Sequence, residues 1–119
     1  MEHKSYDLRN LQEIGQGDEV FIREMMISFI ENVTIDIEKI RNSRALKDWT
    51  TVAQIAHKMV PRFAYLSANH LHVLSADIEK SVLIDNNLIG IAEKTDEFCD
   101  GCVLLIEELK NDFDFLRTN

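Results

Sequence analysis

The sequence has little of the material that tight turns and cross-links require. Its 119 residues include one proline, four glycines and two cysteines. A β-sandwich or β-barrel needs many turns, so this scarcity disfavours both architectures and favours long helices. The two cysteines, Cys99 and Cys102, would close too small a loop to staple a fold, and we expect them to be reduced thiols.

Long apolar runs are also lacking. No window reaches the roughly 18 uninterrupted apolar residues of a membrane helix, and the first residues lead into charged sequence instead of a signal segment. The net charge of −8 and the lack of a basic, aromatic-rich cluster disfavour nucleic-acid binding. We expect a cytoplasmic monomer that binds neither membrane nor nucleic acid. With 45% apolar residues, the chain is typical of one globular domain spanning 1–119.

Apolar residues recur at spacings of three and four, which predicts an all-α fold. The predicted helices are 6–14, 19–42, 49–66, 69–84 and a last one from 91 onward. Asp18 and Asp48 are placed to cap the second and third helices, and 42–44 is predicted to be a turn. Four long amphipathic helices with short links predict an antiparallel up-down four-helix bundle, with the short N-terminal helix as a lid.

The predicted third helix contains an unusual histidine. On a helical wheel its core face consists of Val52, Ile55, Ala56, Met59, Phe63 and Leu66. His57 falls roughly 150° from the centre of that face and should point to solvent, where it is either a surface residue without a role or a functional group. Small or apolar neighbours favour the second interpretation, because a merely solvated face should be polar. The predicted docking patch around His57 consists of Ala53, Gln54, Val60, Pro61 and Ala64.

Pro61 is the second anomaly in this helix. It has no N–H to donate to the carbonyl of His57 four residues earlier, which costs about 3 kcal/mol relative to alanine. One explanation is that the helix ends near Val60. The other is that it continues with a bend, since Phe63 and later residues keep the apolar spacing. We favour the second, in which a costly residue keeps the histidine uncovered.

An exposed neutral imidazole has a lone pair that can attack phosphorus, giving a phosphohistidine. The sequence contains no glycine-rich phosphate loop and no P-loop motif, so it offers no predicted ATP site. We therefore expect any phosphoryl group to come from another protein.

The stretch Ala56-His57-Lys58-Met59, following Asp48-Trp49, resembles the active helix of the histidine-phosphotransfer domains of bacterial phosphorelays. Further matches to the family's first two helices are Leu8, Leu11, Ile14, Gly17-Asp18-Glu19, Phe21-Ile22 and Phe29. The resemblance covers nearly the whole chain. It implies that His57 accepts the phosphoryl group through Nε2. It also implies response-regulator receiver domains and a hybrid histidine kinase as partners. The chain would be a phosphocarrier and not an enzyme, with no cofactor of its own, because Mg²⁺ sits on the receiver.

The sequence departs from the family pattern after the histidine. The family usually continues with Lys, an aliphatic residue, Lys and Gly, whereas Val60 and Pro61 replace the second lysine and the glycine here. Lys58 is then the nearest cation for stabilising phosphate, and Arg62 is a weaker candidate. Kinase dimerisation domains typically place an acidic residue after the histidine, so Lys58 favours a carrier. The alternative is a non-catalytic module that binds a receiver or kinase domain without carrying phosphate.

Cys99-Asp100-Gly101-Cys102 allows a redox or zinc interpretation, because a C-x-x-C pair can cycle as a dithiol or bind metal. The pair lies inside a predicted helix and lacks two further ligands nearby. We favour core packing, with Gly101 at a close helix contact. His70 and His72 point to different sides of a helix, and we assign them no metal role.

Overall fold

The computed structural model describes residues 5–117, and the regular structure of these residues is helical throughout. The elements in chain order are α1 (Arg9–Ile14), α2 (Glu19–Ala45), α3 (Trp49–Tyr65), α4 (Asn69–Glu79), a π-helical segment (Lys80–Ile84), α5 (Ile91–Asp112) and a 3-10 turn (Asp114–Arg117). The all-α prediction is confirmed. Within the described part of the chain no helix is both long and apolar enough to cross a membrane.

The two predicted helix caps are present. The Asp18 carboxylate accepts hydrogen bonds from the backbone amides of Val20 and Phe21 at the start of α2. The Asp48 carboxylate accepts from both the amide and the hydroxyl of Thr51 at the start of α3. Each side chain satisfies backbone donors that have no partner in the first helical turn.

The predicted turn at 42–44 is wrong, because α2 continues to Ala45. The chain reverses at Lys47, which has a left-handed φ of 57°. Arg44 pairs with Asp96 of α5 at 2.9 Å, so this last turn of α2 is held against another helix. Tertiary packing here outweighs the turn preference of Asn and Ser.

The first helix is shorter than predicted, since α1 begins at Arg9 and not at residue 6. The Asp7 amide donates to the carbonyl of Leu66 at 2.7 Å, so the chain is bonded to the end of α3 before α1 begins. Asn10 donates its side-chain amide to the Ala64 carbonyl, and Leu11 is buried. These contacts place α1 over the C-terminal end of α3.

The core lies between the four long helices. Helix α3 packs against α2 and α4, and α5 packs against the same two helices. Phe63 of α3 contacts Phe29 of α2 and Phe98 of α5 edge-on, with ring centroids 6.0 and 5.6 Å apart. All six residues of the predicted α3 core face are buried.

Helices α4 and α5 approach closely at Gly101. A Cβ atom at this position would lie 2.7 Å from Cδ2 of Leu71, which is closer than real Cβ contacts come. The predicted close-contact role of Gly101 is confirmed. The heptad-like residues of α5 that face the core are all buried: Ile91, Thr95, Phe98, Cys102, Leu105 and Leu109.

Candidate functional site

His57 projects from the middle of α3 into solvent. The helix passes through Pro61 and ends at Tyr65, so the alternative in which it ends near Val60 is wrong. The side chain of His57 is 64% exposed, whereas the preceding Ala56 is fully buried. The exposed orientation that the helical wheel predicted is confirmed.

The His57 ring is held by a carboxylate from α4. Its Nδ1 lies 2.7 Å from Oε2 of Glu79, the last residue of α4 before the π-helical segment. A carboxylate accepts hydrogen bonds, so the contact favours a ring in which Nδ1 carries the proton and donates it. The other ring nitrogen, Nε2, then keeps its lone pair. The contact therefore orients the ring and favours the tautomer with the proton on Nδ1.

The role of Glu79 is not evident from the sequence. The apolar spacing of α4 marks Ile78 and Val82 as core residues, and both are buried. Glu79 directly follows Ile78 and borders that stripe, which is the only signal the sequence carries. Helical periodicity does not say which helix lies beside His57. The contact with Glu79, 22 residues away in the sequence, is therefore known only from the packing of the helices.

Three cations near the site differ in whether a carboxylate already pairs with them. Arg62 is paired with Asp36 of α2, whose side chain is only 8% exposed. Lys80 is paired with Asp85 at 3.2 Å. Lys58 is exposed, and in residues 5–117 no carboxylate lies within ion-pair distance of its ammonium group. Lys58 is therefore the cation that remains unpaired beside His57. Arg62, the weaker candidate for stabilising phosphate, is already paired with Asp36.

The predicted docking patch is only partly exposed. Gln54, Pro61 and Ala64 are exposed and Val60 is half-buried, but Ala53 is fully buried. The prediction for Ala53 is wrong. On the wheel it lies only about 60° from Ala56, and α3 buries a broad arc because it packs against both α2 and α4.

The two cysteines are unpaired and buried in α5. Burial raises the pKa of the Cys99 thiol to about 11 and raises the pKa of Cys102 further. Metal binding and thiol exchange both use the thiolate, which burial disfavours here. Within residues 5–117 no group of three or more His, Cys, Asp or Glu is arranged to hold a metal ion. His70 is exposed and its Nε2 lies 3.3 Å from Oε2 of Glu97.

Comparison with protein-family models, curated proteins and solved structures found no match to this chain. The geometry around His57 is therefore the basis for a functional proposal. It offers a solvent-facing imidazole, a carboxylate on Nδ1 and a free cation one residue away. Such an arrangement can supply an oriented, neutral nitrogen nucleophile.

Proposed function

We propose that this chain is a histidine-phosphotransfer domain, which accepts a phosphoryl group from a receiver-domain aspartate onto His57 and passes it to another receiver. The observation that carries the proposal is the hydrogen bond between Nδ1 of His57 and Glu79 at 2.7 Å, on an exposed ring. That bond leaves Nε2 as the nucleophile on the solvent side.

The helical arrangement supports the same proposal. The four long helices pack in a closed cycle, in which each contacts two others, and short links join them. We infer an antiparallel up-down four-helix bundle with α1 across one end. The flank of such a bundle can present a histidine to a globular partner without opening the core.

In the proposed reaction the Nε2 lone pair of His57 attacks the phosphorus of a receiver's aspartyl phosphate in line. The Nε2–P bond forms while the P–O bond to the aspartyl carboxylate breaks, and that carboxylate leaves with the bonding electron pair. No proton needs to leave Nδ1. The receiver and its Mg²⁺ supply most of the electrostatic stabilisation of the transferring group.

Glu79 has a defined part in this reaction. As Nε2 bonds to phosphorus, the imidazole ring gains positive charge, and a carboxylate on Nδ1–H stabilises that charge. Glu79 is therefore a positioning residue that acts through His57. Lys58 is the cation placed to interact with the phosphoryl oxygens. The family's second lysine, which Val60 replaces in this chain, would share that role.

The chain would act as a stoichiometric carrier in the cytoplasm, without nucleotide or cofactor of its own. Its direct partners would be the receiver domains of response regulators and of a hybrid histidine kinase.

The deciding experiment is phosphotransfer from ³²P-labelled receiver domains to the purified chain. We expect label on the wild-type protein that is stable in base and lost in acid, as for phosphohistidine. His57→Gln should abolish the label. His70→Gln is the matched control, because His70 is also exposed and also beside a carboxylate, and that variant should keep the label.

Two results would contradict the proposal. Label that persists on His57→Gln would place the phosphoryl group elsewhere. A wild-type chain that binds receivers but never takes label would instead support the non-catalytic module.

A further inference from the structure

Two short segments of the chain bury few side chains of their own. Residues 5–14, which we call the lid, contain α1, and Leu11 is the only buried residue of that helix. Residues 113–117, which we call the strap, contain the 3-10 turn, in which only Leu116 is buried. Helices of six and four residues are too short to be stable by themselves. Each segment therefore depends on the elements that it contacts.

The lid is bonded to the strap and to the turn of α5 that leads into it. The Tyr6 hydroxyl donates to Oδ2 of Asp112 at 2.7 Å. The ring centroids of Tyr6 and Phe113 are 6.3 Å apart. One turn earlier in α5, Glu108 accepts hydrogen bonds from the amide and the hydroxyl of Ser5. Several independent contacts thus join two segments that are about a hundred residues apart in the sequence.

The contact between Tyr6 and Asp112 has a defined polarity. Burial, followed by the hydrogen bond to Asp112, raises the pKa of Tyr6 far above its usual value, so the phenol keeps its proton. A protonated phenol donates and a carboxylate accepts, and a hydrogen bond to a charged acceptor is stronger than one between neutral groups. Loss of the Tyr6 hydroxyl should therefore have a measurable effect on how firmly the lid is held.

The strap also contacts α2. The ring of Phe115 lies 5.9 Å from that of Phe113, centroid to centroid. The guanidinium of Arg23 in α2 lies 4.9 Å from the centroid of the Phe115 ring, where the aromatic face attracts a cation. A depression of about 220 Å³ remains between the lid, the strap and α2, with Leu8 and Phe115 among its lining residues. The three elements thus meet without filling the space between them.

The lid is bonded to the helix that carries His57 as well. The Asp7 amide donates to the Leu66 carbonyl at 2.7 Å, and the Asn10 side chain donates to the Ala64 carbonyl at 3.0 Å. Both carbonyls lie at the C-terminal end of α3, where the helix has no further amides of its own to bond them. The lid is therefore held by α3 on one side and by the strap on the other.

We propose that the lid and the strap form a latch, in which the two segments open together, as one cooperative unit, at a lower free energy than the four long helices unfold. Proteins open locally in such units, and the parts with few buried apolar groups open first. The coupling between the segments is reciprocal, so a molecule that binds and orders the strap also holds the lid against α3. This inference does not depend on the proposed function.

Amide hydrogen exchange of the full chain, followed residue by residue by NMR, tests the latch. The reporter of the lid is the amide of Asp7, which donates to Leu66, and that of the strap is the amide of Leu116, which donates to Phe113. The reporter of the long helices is the amide of Leu105, which lies buried in the middle of α5. In the wild type we expect similar opening free energies for the first two reporters and a higher one for the third.

Two variants measure the coupling from opposite sides. Phe115→Ala removes the aromatic and cation contacts of the strap, and it should speed exchange at Asp7 in the lid by about tenfold. Tyr6→Phe removes one hydrogen bond of the lid, and it should speed exchange at Leu116 in the strap by about fivefold. Tyr65→Phe is the matched control, because the Tyr65 hydroxyl has no hydrogen-bond partner in residues 5–117, and it should change neither rate.

Three results would overturn the latch. If Phe115→Ala speeds exchange at Leu116 but not at Asp7, the two segments open independently. If Leu105 exchanges with the same opening free energy as the other two reporters in the wild type, the segments open only when the whole domain unfolds. If Tyr65→Phe matches Tyr6→Phe, the hydrogen bond to Asp112 does not hold the lid. Tyr6→Phe is the smallest of these changes, so it keeps the test valid if Phe115→Ala fails to fold.

Discussion

The two ring nitrogens of His57 lie in different surroundings, and that difference is set by one carboxylate. Glu79 accepts from Nδ1, and its side chain is 27% exposed while that of His57 is 64% exposed. A partly exposed pair of this kind contributes little to folding stability, about 0–1 kcal/mol. Its effect on which nitrogen bears the proton can be much larger than its effect on stability.

Replacing Glu79 by alanine should therefore separate chemistry from folding. We expect Glu79→Ala to shift the melting temperature little, because the histidine that loses its partner is 64% exposed and can bond to water. Transfer to His57 should slow by about tenfold or more, the usual effect of losing a group that orients an imidazole. The measurement that checks the cause is the ¹⁵N chemical shift of the two ring nitrogens, which should show a gain of the Nε2-protonated tautomer.

Glu79→Gln is the conservative control, since its amide oxygen can accept the same hydrogen bond. This variant should recover the tautomer but only part of the rate, because a neutral amide does not stabilise the charge that the ring gains. If Glu79→Ala leaves both the ¹⁵N shifts and the transfer rate unchanged, Glu79 has no positioning role.

At the scale of the helix, α3 contains one residue that works against helical geometry. Pro61 is exposed within Trp49–Tyr65, and it cannot donate to the His57 carbonyl. The core contacts of Met59 and Phe63 on either side of Pro61 are nonetheless intact, since both are fully buried. The unfavourable residue therefore lies on the outer face, next to the histidine, and leaves the core side undisturbed.

Pro61→Ala should make the protein more stable and a poorer phosphate acceptor. Alanine restores the missing amide and relieves the ring contact, which by helix propensity contributes up to about 3 kcal/mol. A restored hydrogen bond to the His57 carbonyl should shift the imidazole, and in-line transfer tolerates little misplacement. Thermal unfolding should show a higher melting temperature and ³²P transfer a lower rate. An unchanged rate would mean that Pro61 has no part in the mechanism.

The helices themselves were largely predictable, because apolar spacing and N-caps are local properties of the sequence. The core face of α3 and the capping role of Asp48 needed no knowledge of other helices. The errors arose where a neighbour decides the outcome. Arg44 bonds to Asp96 and extends α2 through a predicted turn, and packing against two helices buries Ala53.

At the scale of the whole molecule, one shielded ion pair links two of the long helices. Asp36 of α2 is paired with Arg62 of α3, and their side chains are 8% and 28% exposed. Removing the cation would leave a buried carboxylate without compensation, which is far more costly than losing both charges together.

Arg62→Met should lower the free energy of unfolding by about 3 kcal/mol, measured by urea denaturation. Arg44→Met is the matched control, because the Arg44–Asp96 pair is more exposed and its loss should cost no more than about 1 kcal/mol. Adding Asp36→Leu to Arg62→Met should restore most of the loss. Similar effects of the two single variants would show that the Asp36–Arg62 pair is no more shielded than a surface pair.

The candidate site was only partly predictable from the sequence, because some of its residues are set by neighbouring helices. His57 and Lys58 are identified by their own helix, but Glu79 depends on which helices become neighbours. That information belongs to the three-dimensional packing of α3 against α4 and the π-helical segment. A single sequence contains no local pattern that expresses it.

Because of the π-helical segment Lys80–Ile84, the number of residues in this part of the chain decides which side chains are exposed. A π turn takes more residues than an α turn, so it places Val82 in the core and turns Leu83 and Ile84 outward within one short stretch. Gain or loss of a single residue here would rotate everything that follows by about a quarter turn or more. The inward and outward faces would then be redistributed without any change in the kinds of residue present. Insertions and deletions in this segment would therefore change which side chains are exposed more than most substitutions could.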